Sequence, residues 1–221
     1  MEIRIELPGV RLGIVEADNV QVVLVDPELA REVEDVCQRK RQEFTVESLA
    51  FAEPVRAVRT MFRMWGMDPS KYRPSSEALL RRVVQGKGLY RISNIVDVCN
   101  ISSIETGWPY GLYDTSHVWP PITFRHGARG ESYERVGKEM WHVEGRPVLV
   151  DAEGPFGSPI SDSTRTMIRE STRDVRMVIY APAPVSEEAL NDAMARVAER
   201  LVRFGKAGAT RSHAIEFLSP Q

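Results

Sequence analysis

The chain has only two cysteines in 221 residues, Cys37 and Cys99. Both sit among apolar or helical neighbours, so they read as reduced, buried thiols rather than a disulfide framework. A nucleophilic Cys99 would need an electropositive, accessible setting, and no histidine stands at an interpretable position near it. The four histidines, His117, His126, His142 and His213, show no ligand spacing, and no cysteine joins them. Metal sites need such clustering, so no metal and no cofactor is expected. There is no Walker loop, no Gly-x-Gly-x-x-Gly after a strand and no Gly-x-Ser-x-Gly elbow. No apolar run reaches membrane-spanning length, and no basic leader with an apolar stretch opens the chain. The expectation is a cytoplasmic protein without a membrane partner. Charge of one sign is also missing: 29 Lys and Arg stand against 31 Asp and Glu, a net charge of −2. Any nucleic-acid contact must therefore come from a local patch.

What is present is ordinary globular material, 43% hydrophobic and 27% charged. A core can form at this length without disulfides or metal. Residues 1–7 alternate apolar with charged, as a half-buried strand does. Residues 12–15 and 20–25 read as two more strands. Asp26-Pro27 opens a helix to about Arg41, and a second helical pattern covers residues 48–65. Later strands are expected at 122–124, 133–143, 147–150, 175–180 and 214–218. A last helix runs from Ser186 to about Phe204. Ser161-Asp162-Ser163-Thr164 reads as a capping cluster.

The densest group of special residues runs from Arg73 to Asp114. Pro74-Ser-Ser-Glu starts a helix whose apolar residues recur at helical spacing until Gly86. A second helix, residues 92–106, is apolar on most faces, which marks a buried helix. Gly107 can close it in the left-handed conformation, with Pro109 beyond. Asp97 and Asn100 are polar groups on that helix. They either bond nearby backbone or brace the turn at 107–111. A second unusual path is Gly154-Pro155-Phe156-Gly157-Ser158-Pro159, two glycines and two prolines in six residues. Such a corner is either a tight bend or a place where bare amides approach a ligand.

The run SNIVDVCNISSIETGWPYGLYD resembles the helix and following turn of the B3/B4 domain, the editing domain in the β subunit of phenylalanyl-tRNA synthetase. Ile95, Val96, Asp97, Asn100, Gly107, Pro109, Tyr113 and Asp114 carry the match. Arg125, Ala128, Gly130 and Glu131 match a later strand and turn of that family, and Ser161 to Thr164 is similar to its Asn-Asp-Glu-Thr segment. The resemblance implies an α+β fold of three layers, containing a β-sandwich of unusual topology with flanking helices. The whole chain, 1–221, is expected to be one such domain. Residues 1–72 and 184–221 flank a motif-bearing core at 73–183.

The resemblance also implies a function. The chain would be a free-standing editing-type domain that binds the aminoacylated 3′ end of a tRNA and hydrolyses the ester of a mischarged aromatic amino acid. No aminoacylation is expected, because the catalytic and anticodon-binding parts of a synthetase are not among these residues. Gly157 and Glu170 occupy the places implied for catalysis. Asn100, Pro109, Tyr110, Gly111, Phe156, Ser158 and Thr164 occupy those of substrate contacts, and Arg165, Arg169 and Arg173 are placed to hold phosphates. For Glu170 the bland alternative is a surface carboxylate beside those arginines. Synthetase editing domains often carry a histidine at the position of Gly111. Its loss leaves open a second reading, a non-catalytic module that binds RNA or an amino acid.

Overall fold

The helices begin and end where local chemistry directs. In the computed structural model, which describes residues 3–137 and 139–217, the chain runs as follows. β1 (Ile3–Ile5) and β2 (Val10–Asp18) lead to α1 (Pro27–Glu43), α2 (Glu53–Met64), α3 (Ser75–Val84) and α4 (Asn94–Thr106). Then come β3 (Tyr110–Asp114), β4 (Ile122–His126), β5 (Ser132–Glu134), β6 (Met140–His142), β7 (Pro147–Asp151), β8 (Gly154–Gly157) and β9 (Val175–Pro182). The last two elements are α5 (Glu187–Gly205) and β10 (Ala209–Glu216). Asp26 caps α1 by accepting from the Glu28 and Leu29 amides, both at 3.0 Å. Ser93 caps α4 and Ser186 caps α5. Gly107 ends α4 at φ 75°, its amide bonded to the Ser103 carbonyl.

The strands form two four-stranded sheets, ordered β1-β4-β7-β8 and β10-β2-β9-β3, plus the β5–β6 hairpin. The two sheets face each other. Phe124 of β4 meets Tyr180 of β9 at 5.4 Å between ring centroids, and Tyr113 of β3 meets Phe156 of β8 at 4.9 Å. Helices cover the far side of the second sheet, where a Cβ on Gly13 of β2 would touch Leu190 and Met194 of α5. The result is three layers: sheet, sheet, helices. This is the α+β sandwich expected, with all of its helix–sheet packing governed by period two in the strands. One buried cluster draws on residues from Ile3 to Phe204. Trp65, at the end of α2, is fully buried, donates its indole N–H to the Pro8 carbonyl at 2.8 Å and packs edge-on to Phe124. Burying a side chain of that size contributes roughly 2–3 kcal/mol.

Several local expectations change in three dimensions. Residues 10–18 form one strand, and 20–25 form none: Val23, Leu24 and Val25 are exposed. Both edges of β2 are already taken, by β9 and β10, so the following residues have no ladder to join. Instead the Val23 amide donates to the Asn94 side chain. The expected strand at 133–143 is two short strands folded on each other. The Gly-Pro corner at 154–157 is strand β8, an edge strand paired with β7. The cluster at 161–164 heads no helix. The tail strand starts earlier than expected, and its expected last residue, Leu218, lies outside the described residues, as do Met1 and Glu2.

Candidate functional site

The sheet orders place β3 and β8 each at an edge, stacked on one another. An edge strand leaves amides unpaired, and the crossing from 158 to 174 supplies their partners. The Leu112 amide donates to Asp162 Oδ2 at 3.1 Å, and the Asp114 amide to the Thr166 carbonyl at 2.9 Å. Gly157 and Asp162 form a bridge across the same corner.

Two glycines from distant segments converge here. A Cβ on Gly111 would lie 2.1 Å from the Tyr113 hydroxyl, and a Cβ on Gly157 would lie 2.3 Å from the same atom. Both positions need glycine because the Tyr113 side chain occupies the space between them. Tyr113 is fully buried, and its hydroxyl meets that of Tyr180 at 3.2 Å. Tyr133 of β5 also reaches in, donating to the Ser161 carbonyl at 2.6 Å with Ser158 Oγ 3.1 Å from the same hydroxyl. The corner is thus lined by Gly111, Gly157, Ser158, Asp162 and three tyrosine hydroxyls.

Asp162 is its most unusual member. Among the described residues its Oδ1 is shielded from solvent and has no hydrogen-bond partner. No cation faces it. The residue as a whole is half-buried, yet loss of water around its carboxyl pushes that group up to about 7, only partly opposed by the nearby Leu112 amide, Tyr113 hydroxyl and Ser158 amide. Loss of water, and after it the Asp162 charge, hold the Tyr113 and Tyr180 hydroxyls well above the ordinary phenol range. A carboxyl poised near neutrality beside bare glycine backbone can accept a proton from water or bind a donor group of a ligand.

The structure gathers some of the expected site residues and scatters others. Gly111, Gly157, Phe156 and Ser158 share the corner. Pro109 precedes β3 and uses its carbonyl to hold the Tyr180 amide at 3.0 Å. Tyr110 is on the opposite face of β3: it pairs with Ile179, whose side of the sheet faces the helices. Asn100 belongs to α4 in the helical layer, and no hydrogen bond joins its side chain to the corner among the described residues. Thr164 contacts Glu134 at 3.3 Å, outside the glycine pair.

Glu170 does not join the corner. It is exposed on the turn before β9, and only its carbonyl enters a hydrogen bond among the described residues, from Arg173. The three arginines are engaged as well. Arg165 grips Asp151 with two bonds of 2.9 Å. Arg169 donates to the carbonyls of Thr164 and Met167, and Arg173 to those of Glu170 and Thr172. They brace the crossing.

Tyr113, Asp162, Tyr133 and Tyr180 are the corner residues that sequence reasoning passed over as site members. For Tyr113 a signal existed: on a strand, position 113 shares a face with 111. Asp162 lies inside an apparent cap, and only the resemblance of residues 161–164 to a family segment marked it. A separate shallow cleft of about 90 Å³ lies among Glu32, Arg196, Glu199, Arg200 and Arg203 on α1 and α5. It is far from the glycine pair in the layer order, and its residues are tied in ion pairs such as Arg200 with Glu32 and Glu105.

Among known proteins, an N-terminal fragment of the phenylalanyl-tRNA synthetase beta-subunit from Pyrococcus horikoshii is similar at 14% identity and a TM-score of 0.45. The match covers 100% of this chain and 55% of that one, so the chain spans little more than half the length of that fragment. No curated protein matches the chain. The model of the B3/4 domain family matches residues 57–219, which include both glycine corners, the crossing and Asp162. By that match the chain belongs to the B3/4 domain family.

Proposed function

We propose that the chain is an editing-type domain that binds the aminoacylated 3′ end of a tRNA and hydrolyses the ester of a mischarged aromatic amino acid. The observation that supports this most is the convergence of Gly111 and Gly157 on one point, with Asp162 beside it. In this reading Asp162 takes the part expected of Glu170. Its carboxylate accepts a proton as water adds to the ester carbonyl. Backbone amides near Gly157 and Ser158 steady the developing oxyanion. The ribose hydroxyl then leaves, taking the proton back. Phe156 and Tyr180 supply aromatic walls, and the side chain of Tyr113 has to move aside for a substrate to enter. The unit is taken as one domain over 1–221, since the buried cluster draws on both its beginning and its last helix.

One observation favours the second reading, a non-catalytic module. Tyr113 fills the corner, and no histidine stands at Gly111. Incubation with tyrosyl- and phenylalanyl-charged tRNA separates the two. Release of the amino acid, rising with pH through about 7 as Asp162 ionises, supports the editing reading. Intact esters on bound RNA leave the module.

A further inference from the structure

Beside the corner, five side chains stack in alternation. Lys71 Nζ lies 5.3 Å from the Tyr72 ring centroid, and the Arg146 guanidinium covers Tyr72 at 4.6 Å. Arg146 also covers Trp141 at 4.4 Å, and Arg135 lies 4.7 Å from the same indole. Tyr72 and Trp141 meet edge to face at 5.8 Å. The series is Lys71, Tyr72, Arg146, Trp141, Arg135: three cations spaced by two rings.

The cations are fixed by aromatic faces and by oxygens that carry no net charge. Arg146 donates to the Tyr72 hydroxyl at 2.9 Å and to the His142 carbonyl; Arg135 donates to the Glu139 carbonyl at 3.4 Å. Among the described residues none of the three forms a salt bridge. Many arginines elsewhere are neutralised by a carboxylate, as Arg59 is by Glu77, Arg91 by Asp97, Arg125 by Glu131 and Arg165 by Asp151, while Arg169 and Arg173 donate only to carbonyls. The indole N–H of Trp141 is shielded from water and has no acceptor among the described residues. Three positive charges held in a row, with no carboxylate partner among the described residues, raise a local positive potential that an anion can meet. Cation–π contact stabilises each by about 0.5–1 kcal/mol at such partly exposed sites and orders it without neutralising it.

The same hairpin ties this row to the glycine corner. β5 carries Tyr133 into the corner, and two residues later Arg135 forms a bridge with Ser163, next to Asp162. The Val136 amide donates to the Asp162 carbonyl at 3.1 Å. A polymer whose end enters the corner would pass its backbone over the row.

We infer that Lys71, Arg135 and Arg146 form a surface for the phosphate backbone of an RNA strand, positioned to receive the part of the molecule adjoining the end bound at the corner. This rests on the reading that the corner takes an RNA-linked group. The protein reads no bases here; it neutralises phosphates, so binding follows counterion release.

The test is a fluorescence-anisotropy titration with labelled, uncharged tRNA between 50 and 200 mM salt. The variant K71A/R135Q/R146Q is compared with the unaltered protein. The expected result is an affinity loss of about tenfold or more at low salt, and a salt slope shallower by about 2–3, at roughly 0.7–0.9 per phosphate contact. A control that removes three cations of the helical layer, R31Q/K87A/R196Q, keeps the original slope. Because the triple change can loosen the hairpin, R135K/R146K is measured too: it keeps the charge and should keep most of the slope. Equal slopes for the ladder variant and the unaltered protein overturn the inference. So does loss of slope in the lysine variant, or absence of tRNA binding altogether. Displacement of tRNA by an acidic peptide of equal charge, at equal concentration, overturns it in favour of a protein partner. Weakened tRNA binding in the ladder variant, with no ester hydrolysis by either protein, keeps this surface and drops the editing reading. Hydrolysis with an unchanged KM in the ladder variant drops the surface alone.

Discussion

The Asp162 carboxylate accepts the Leu112 amide at 3.1 Å, fifty residues away in sequence, and through that bond the 158–174 crossing is fastened to the free edge of β3. One oxygen closes a sheet edge while the other has no partner among the described residues. The same side chain therefore serves the fold and leaves an acceptor open in the candidate site.

Stability should depend on this group. A free aspartate ionises near 3.9, and Asp162 in the folded chain near about 7. Between those values the unfolded chain has released a proton that the folded one still holds. Stability therefore falls as pH rises from about 4 to about 7, and levels off above. Asp162→Asn keeps an acceptor for Leu112 and cannot ionise. Urea denaturation across pH 4–8 should show the fall removed, with the variant the more stable at pH 8 by on the order of 2 kcal/mol. A variant that follows the same pH curve as the parent would show that another group is responsible.

Gly157→Ala should destabilise the protein by about 1–3 kcal/mol, because the new methyl meets the Tyr113 ring and hydroxyl at 2.3–2.6 Å. Tyr113→Ala costs stability by leaving a cavity, but it also vacates the space the methyl needs. The double variant should be more stable than the sum of the single losses implies, by about 1 kcal/mol or more. Additive losses in a denaturation cycle would mean that the two residues do not compete for that space.

Asp151 is wholly buried and accepts from both Arg165 nitrogens, from the Trp119 amide at 3.0 Å and from the Glu153 amide at 3.0 Å. Asp151→Ala should cost about 3 kcal/mol, since it strands a cation and two amides together. Arg165→Met should cost less, because Asp151 keeps its two amide donors. Thermal denaturation of both variants checks the order. Equal losses would show that the ion pair alone decides the effect.

Glu170→Ala should leave thermal stability within about 0.5 kcal/mol of the parent and leave charged-tRNA hydrolysis, if present, unchanged. The residue is exposed on the turn before β9. A large loss of hydrolysis in this variant would return the role to Glu170 and move the site to the outside of the turn.

How far the sequence could be read differs by element. The helices were legible because their signals are local. Asp26, Ser93 and Ser186 cap amides two or three residues on, and Gly107 closes a turn with Ser103. The apolar face of α5, from Leu190 to Phe204, repeats at a fixed interval. The strand at 20–25 was misread because alternation says a segment can pair, not that a partner is free. The corner at 154–157 reads as a loop until β7 is beside it.

The candidate site was half legible. Gly111 and Gly157 could be named, since glycine in such company marks a backbone that must come close to something. What they come close to could not. The Tyr113 side chain stands between them, and Glu170 remains outside.

The order of letters alone determined the helices, the caps of α1 and α5, the buried character of α4 and the membership of the family, because each depends on neighbours within a few residues or on a motif without gaps; the serines after Pro74, expected to cap α3, make no cap bond. Only the tertiary structure decided which polar groups lost their water. Asp162 and Glu170 are both acids in a polar stretch. One was folded between two sheet edges and the other was left on a turn, and an acid takes its proton affinity from how much solvent and opposite charge remain around it.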